Sequence, residues 1–211
     1  RHEPIAMSQL HFTSEDWKVS EDRYWITFFN SISGPRSVVM IGTQDQEGVG
    51  NIGLFNSLVH LGANPPLLAF ILRPTTVPRH TYQNILSSGC YTIQHGTVDL
   101  LSKVHQTSAK YDTKQDEFEE IGFEKSYIEG FQAPFIQGVP ISLAMEFREE
   151  HTVKSNNTRL IVGEVKHVFV NERLIDQDGC VDTSKADTLL VSGLDAYHRH
   201  DRIKRMKYAR P

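Results

Sequence analysis

The sequence predicts a mainly β fold, an antiparallel barrel that is closed or nearly closed and carries a few attached helices. Three observations lead there. Short apolar runs rich in Val and Ile recur along the chain, each ended by a polar or glycine-bearing turn. Ile141, Leu143, Met145 and Phe147 alternate with Ser142, Ala144, Glu146 and Arg148, the period of two that sets one strand face against a core. Helical spacing appears only in short stretches, so sheet must enclose most of the apolar interior.

The first clear element is Val38-Val39-Met40-Ile41-Gly42, a buried strand that enters a hairpin through the polar residues 43–48. The next apolar run covers 67–72. Pro65 and Pro66 cannot donate to a sheet ladder and mark its start, and Arg73-Pro74 closes it. Beyond it, Tyr82, Ile85 and Leu86 fall at i, i+3 and i+4, which predicts a short helix with Thr81 as N-cap and Gly89 as the residue that ends it. Residues 90–94 read as a strand, and Asp99 is placed to cap a second helix carrying Leu100, Leu101 and Val104. The tract 106–120 reads as helix end and loop. After the alternating strand 141–147 comes a polar connection, 149–158, and then the Val- and Ile-rich run 160–170, which is expected to pair back on it.

At 211 residues the chain is expected to form one domain over 1–211, with residues 1–6 ahead of Met7 read as an appended segment. A formal charge of −4 argues against a nucleic-acid partner. Arg199, Arg202, Lys204, Arg205, Lys207 and Arg210 make the C-terminal tract basic, and it is read as a solvated helix face folding back near a cofactor or partner subunit. No run approaches a membrane span and the start lacks the order of a signal peptide, so the expected location is the cytoplasm. Cys90 and Cys180 fit no paired or metal spacing and read as reduced thiols. The ten histidines include no HExxH arrangement and no metal is expected; His198 and His200 alone are too weak a pair. Glycine-rich phosphate loops and nucleophile elbows are missing from the sequence as well.

The stretch Gly48-Val49-Gly50-Asn51-Ile52-Gly53-Leu54-Phe55-Asn56-Ser57, the following Asn64-Pro65-Pro66 and its apolar strand, the helix near Thr81, the strand Tyr91-Thr92-Ile93-Gln94-His95 and the closing Tyr208-Ala209-Arg210-Pro211 occur in one order. In that order they resemble the flavin reductase-like, FMN-binding split-barrel family. The resemblance implies split-barrel topology, noncovalent FMN, and a homodimer with the pocket near the subunit interface. It also implies hydride transfer from NADH or NADPH to flavin N5. Two other roles stay open: an FMN-bound electron carrier for a protein partner, and an FMN-binding module without turnover.

A flavin needs an apolar slot, amide or hydroxyl groups for its pyrimidine edge, and donors for its phosphate. Asn51, Asn56 and Ser57 supply the polar groups and Leu54 and Phe55 the slot, although strand alternation puts Asn51, Gly53 and Phe55 on one face and Leu54 and Asn56 on the other. Turn or edge roles account equally well for the two asparagines. Arg73, Arg79 and Thr81 flank a helix N-terminus, where unpaired N–H groups attract phosphate. Plain capping is the alternative for Thr81, and a surface cation for Arg73. Pro78 and its neighbours depart from the lysine-containing turn of many relatives. By resemblance, Gln94 and His95 lie beside the ring; a structural or solvent-facing role is the alternative. Hydride transfer requires no acid or base side chain, so no catalytic residue is assigned.

Overall fold

A strand shows its side chains alternately to two faces, yet Val38, Val39, Met40 and Ile41 are all fully buried, so apolar layers must lie on both sides of this run. The computed structural model, which describes residues 10–18, 23–76 and 79–210, supplies both. Val38 and Met40 join Ile52, Val104, Phe118 and Leu189 in one core. Val39 and Ile41 join Phe70, Ile85, Tyr91, Met145 and Ile161 in the other. The expectations for residues 1–6, Pro78 and Pro211 lie outside the described residues.

In chain order the elements are α1 (Ser14–Lys18), α2 (Arg23–Ile32), β1 (Arg36–Ser37), β2 (Val39–Gln44), β3 (Gly50–Phe55), β4 (Val59–Ala63), β5 (Pro66–Leu72), α3 (His80–Ser88) and β6 (Cys90–His95). There follow α4 (Leu101–Gln106), α5 (Glu117–Ile121), β7 (Lys125–Ile128), β8 (Phe131–Ile136), β9 (Ile141–Val153), β10 (Thr158–Val170), β11 (Leu190–Ser192) and β12 (Ala196–His198). Seven strands form one sheet in the order β3-β2-β6-β9-β10-β5-β4, and every pairing is antiparallel. Its edge strands, β3 and β4, are joined by residues 56–58 alone, so the sheet has to curl until its two edges meet at that link. Ser57 pins the link: its hydroxyl accepts from the Ile71 N–H at 3.0 Å and lies 3.3 Å from the Ile71 carbonyl oxygen. No ladder joins β3 to β4 among the described residues, which leaves the curled sheet split.

The predicted strands at 38–42, 67–72, 90–94, 141–147 and 160–170 are all present, and Gly89 ends α3 at φ 72° with its N–H on the Ile85 carbonyl. Other expectations need correction. The N-cap of α3 is Arg79, not Thr81, because the Thr81 hydroxyl is turned inward against β3. Asp99 sits inside a 3₁₀ turn, 98–100, so the residue preceding α4 is Leu100. The tract 106–120 contains the start of α5, and the 149–158 connection is mostly strand, because β9 and β10 run on as an exposed hairpin. Residues 199–210 form no helix; they run as an irregular strap held by ion pairs.

Candidate functional site

Helix α3 lies across β2 and β3 and is fixed there by side-chain hydrogen bonds. Asn84 Nδ2 donates to Thr43 Oγ1 at 3.1 Å, and Thr81 Oγ1 is 2.8 Å from the Asn51 amide. Gly53 makes the approach possible, since a Cβ there would lie 3.3 Å from Thr81 Oγ1 and closer still to the Phe55 ring. With Thr81 turned inward and no capping hydrogen bond from the Arg79 side chain, the first-turn N–H groups of α3 have no side-chain cap from this position. The Arg79 Nε is buried at the same point without a partner among the described residues. An orphaned guanidinium donor beside an uncapped helix start suits an anion.

Where β3 forms the sheet edge, two consecutive carboxylates take up its outward N–H groups. Asp116 accepts from Gly50 at 2.8 Å and Glu117 from Ile52 at 2.7 Å, so α5 covers an edge that would otherwise be open to pairing. Asp116 also caps α5 through the Phe118 and Glu119 N–H groups and pairs with Lys125 at 2.5 Å. Glu117 has no such cation: among the described residues no Lys or Arg lies within ion-pair distance of it. Burial, reinforced by the Asp116 charge, lifts its pKa from 4.5 to about 7 against the opposing pull of the Ile52 N–H. The Asn51 amide completes the cluster. With its oxygen toward the Thr81 hydroxyl and the Ile52 N–H, its nitrogen donates to Glu117 Oε1 at 3.2 Å, whereas the opposite orientation sets oxygen against acceptors.

Glu117 and Asn51 line a solvent-open cleft of about 120 Å3 together with Asp45, His80, Gln83, Asn84, Thr113 and Gln115. Among the described residues neither lysine nor arginine lines it.

A second group of predicted residues lies at the opposite end of β3. Phe55 and His95 both pair with Val39, from β3 and β6 respectively, so His95 and the neighbouring Asn56 sit at one end of the sheet, roughly two strand spacings or 10 Å apart. Asn56 Nδ2 donates to the Gly193 carbonyl at 2.9 Å. His200 adds a second imidazole near His95, and its Nδ1 is buried without a partner among the described residues. Burial, and then His200, lower the His95 pKa to about 4, so its ring is neutral at physiological pH although part of its surface remains accessible.

The split antiparallel sheet has counterparts. The profile of the flavin reductase like domain family matches residues 33–189. The chain belongs to this family. A Shewanella frigidimarina protein described as a flavin reductase with a split barrel domain superposes with a TM-score of 0.90 at 39% identity, over 95% of this chain and 100% of that one. Nitrilotriacetate monooxygenase component B from Bacillus cereus gives 0.81 at 17% identity over 95% and 100% of the two chains. Flavoredoxin of Desulfovibrio vulgaris gives 0.71 at 20% identity over 83% and 92%; the last two share the fold.

Within this member of the flavin reductase-like family, the ten residues singled out from sequence do not converge on one point. Asn51, Thr81 and Arg79 gather at the α3 end of β3, and Asn56 and His95 at the other, roughly 16 Å away along the strand. Leu54 packs against the core that holds Met40, and Phe55 against Phe70 at 4.9 Å between ring centroids, as strand alternation required. Ser57 is engaged with β5. Gln94 is fully buried; its Nε2 donates to Thr92 Oγ1 at 2.5 Å and its Oε1 has no partner. Arg73 is exposed just beyond β5. Sequence reasoning missed Glu117. Its only visible signal was the acidic pair Asp116-Glu117 ahead of Phe118, which reads as a helix start but says nothing of the distant strand edge it serves.

Proposed function

We propose that this protein binds FMN noncovalently and reduces it with NADH or NADPH, as a homodimer of one-domain subunits in the cytoplasm. The observation that carries the cofactor reading is the start of α3, which has no side-chain cap from Arg79, beside a buried Arg79 Nε that has no partner among the described residues; such a place suits a phosphate. Arg79 and the α3 N–H groups hold the phosphate, with Arg73 at the rim. Asn56 and the neutral His95 meet the polar edge of the ring at the far end of β3, and a ligand touching both groups lies along that strand. Asn51 and Thr81 act one layer beneath, fixing α3 so that its N-terminus faces the phosphate. Leu54 and Phe55 stiffen β3 from its two faces; Ser57 holds the link beside it, and Gln94 supports the neighbouring strand.

Bound flavin supplies a two-electron acceptor for hydride from reduced nicotinamide. The chain's own contribution is orientation, exclusion of water and hydrogen bonding to the ring edge, none of which needs an acid or base. The test is an FMN titration followed by visible absorbance, then anaerobic addition of NADH and of NADPH. Saturation at one FMN per subunit, with bleaching by one nucleotide over many turnovers, is the expected result. Binding without bleaching by either nucleotide would replace the reductase with a carrier or a binding module. Arg79→Ala is expected to weaken FMN binding by at least tenfold, since a charge-assisted hydrogen bond to phosphate contributes about 1.5–3 kcal/mol.

A further inference from the structure

We propose that the cleft floored by Glu117 is a separate binding site for a cationic, hydrogen-bond-donating group such as an amidine, guanidinium or primary amine. The lining is acidic, with His80 as its one titratable base among the described residues. Asp45 and Glu117 are carboxylates, Asn51, Gln83, Asn84 and Gln115 add amides, and among the described residues neither lysine nor arginine lines the cleft to receive an anion.

Glu117 gives the lining its direction. It is 7% exposed and lines the cleft, each carboxylate oxygen takes one protein donor, and a carboxylate accepts about four, so acceptor capacity is left over. Asp116, one residue away and less buried, has Lys125 as its cation; Glu117 has none among the described residues. A buried carboxylate held in place by a backbone N–H and an amide, and lacking a counter-ion, is relieved by a proton at low pH and by a cation from solution once it ionises. The charged and titratable groups around it are Asp45 on the β2–β3 turn, His80 on α3, Asp116 as the cap of α5, Glu119 on α5, and Lys125 on β7. Lys125 is engaged with Asp116 and Glu119 and does not reach the cleft carboxylate.

This site stands apart from the proposed phosphate site in the sign of the charge it takes, and it does not depend on flavin being bound. The probe is benzamidine, with benzoate as a control of similar shape and opposite charge, each titrated into the full chain and followed by amide chemical shifts. Benzamidine is expected to shift the signals of Val49, Gly50 and Gln83, with benzoate leaving them in place. Affinity rises about tenfold between pH 6 and pH 8 as Glu117 ionises near pH 7. Glu117→Gln keeps the shape and removes the charge, and is expected to weaken benzamidine at least tenfold at pH 8. Gln83→Lys, on the exposed face of α3, brings a cation to the mouth without touching the buried cluster and is expected to weaken it similarly. Equal shifts with benzoate, or unchanged benzamidine affinity in a folded Gln83→Lys protein, overturns the proposal.

Discussion

Replacing Glu117 by Gln is expected to make the protein more stable at pH 8 while leaving it nearly unchanged at pH 4.5. The sign follows from the direction of the shift. Folding lifts the Glu117 pKa from 4.5 to about 7, so the native state favours the neutral acid. The stabilisation is therefore fully present below about pH 4.5 and is lost as pH rises through about 7. At 1.36 kcal/mol per pKa unit the whole difference is on the order of 3 kcal/mol, and contact with water at the cleft reduces it to about 1–3 kcal/mol. Gln keeps an oxygen for the Ile52 N–H and cannot ionise. Urea unfolding of both proteins from pH 4.5 to 8.5 measures the difference directly, because other titrating groups cancel between the two. Curves that stay parallel across this range refute the assignment of Glu117 as a buried acid titrating near neutrality.

Tyr91 has a buried hydroxyl with no partner among the described residues, so Tyr91→Phe is expected to be neutral or to stabilise by up to about 1 kcal/mol in thermal or urea unfolding. A Cβ at Gly163 would collide with that same hydroxyl, so Gly163→Ala should cost about 1–3 kcal/mol; adding Tyr91→Phe should recover part of the loss in a double-mutant cycle. Thr81→Val leaves the Asn51 amide short of a buried partner and should lower stability by about 1–3 kcal/mol, read from the urea midpoint. Arg202 and Arg205 tie the C-terminal strap to Asp176 and Asp178, each at 2.5 Å. Replacing both by Ala should speed tryptic cleavage within 199–210 with little change in melting temperature. The Arg205 guanidinium holds the Asp178 pKa down at about 2, so acid should release this clasp only as pH falls toward that value.

The strands were legible because burial on one or both faces leaves a direct mark on residue order. The alternation at 141–147 and the unbroken run 38–41 each announced a face, and both are where expected. The correct placing of Leu54 and Asn51 on opposite faces of β3 came from the same period of two. What escaped reading is set by contacts distant in sequence. Thr81 has the chemistry of an N-cap, and only the position of Asn51, thirty residues earlier, turns it inward. Glu117 serves an N–H that lies sixty-five residues before it, and no local pattern encodes that pairing. The basic tail has helical composition but meets the acidic loop 176–182, where ion pairs fix an irregular path.

The order of strands in the large sheet also governs how the chain can be made. The β2–β3 and β4–β5 hairpins emerge early in synthesis, yet they belong to opposite margins of the sheet and have no ladder to each other among the described residues. The hairpin that fills the space between them, β9–β10, is contributed by residues 141–170. A nascent chain that has reached only the end of β6 therefore exposes one side of β5 and one side of β6 as templates waiting for strands not yet translated. Assembly of the middle comes last, and a ribosome that stalls before residue 141 leaves a polypeptide with complete margins, no centre, and two open invitations to pair with another chain.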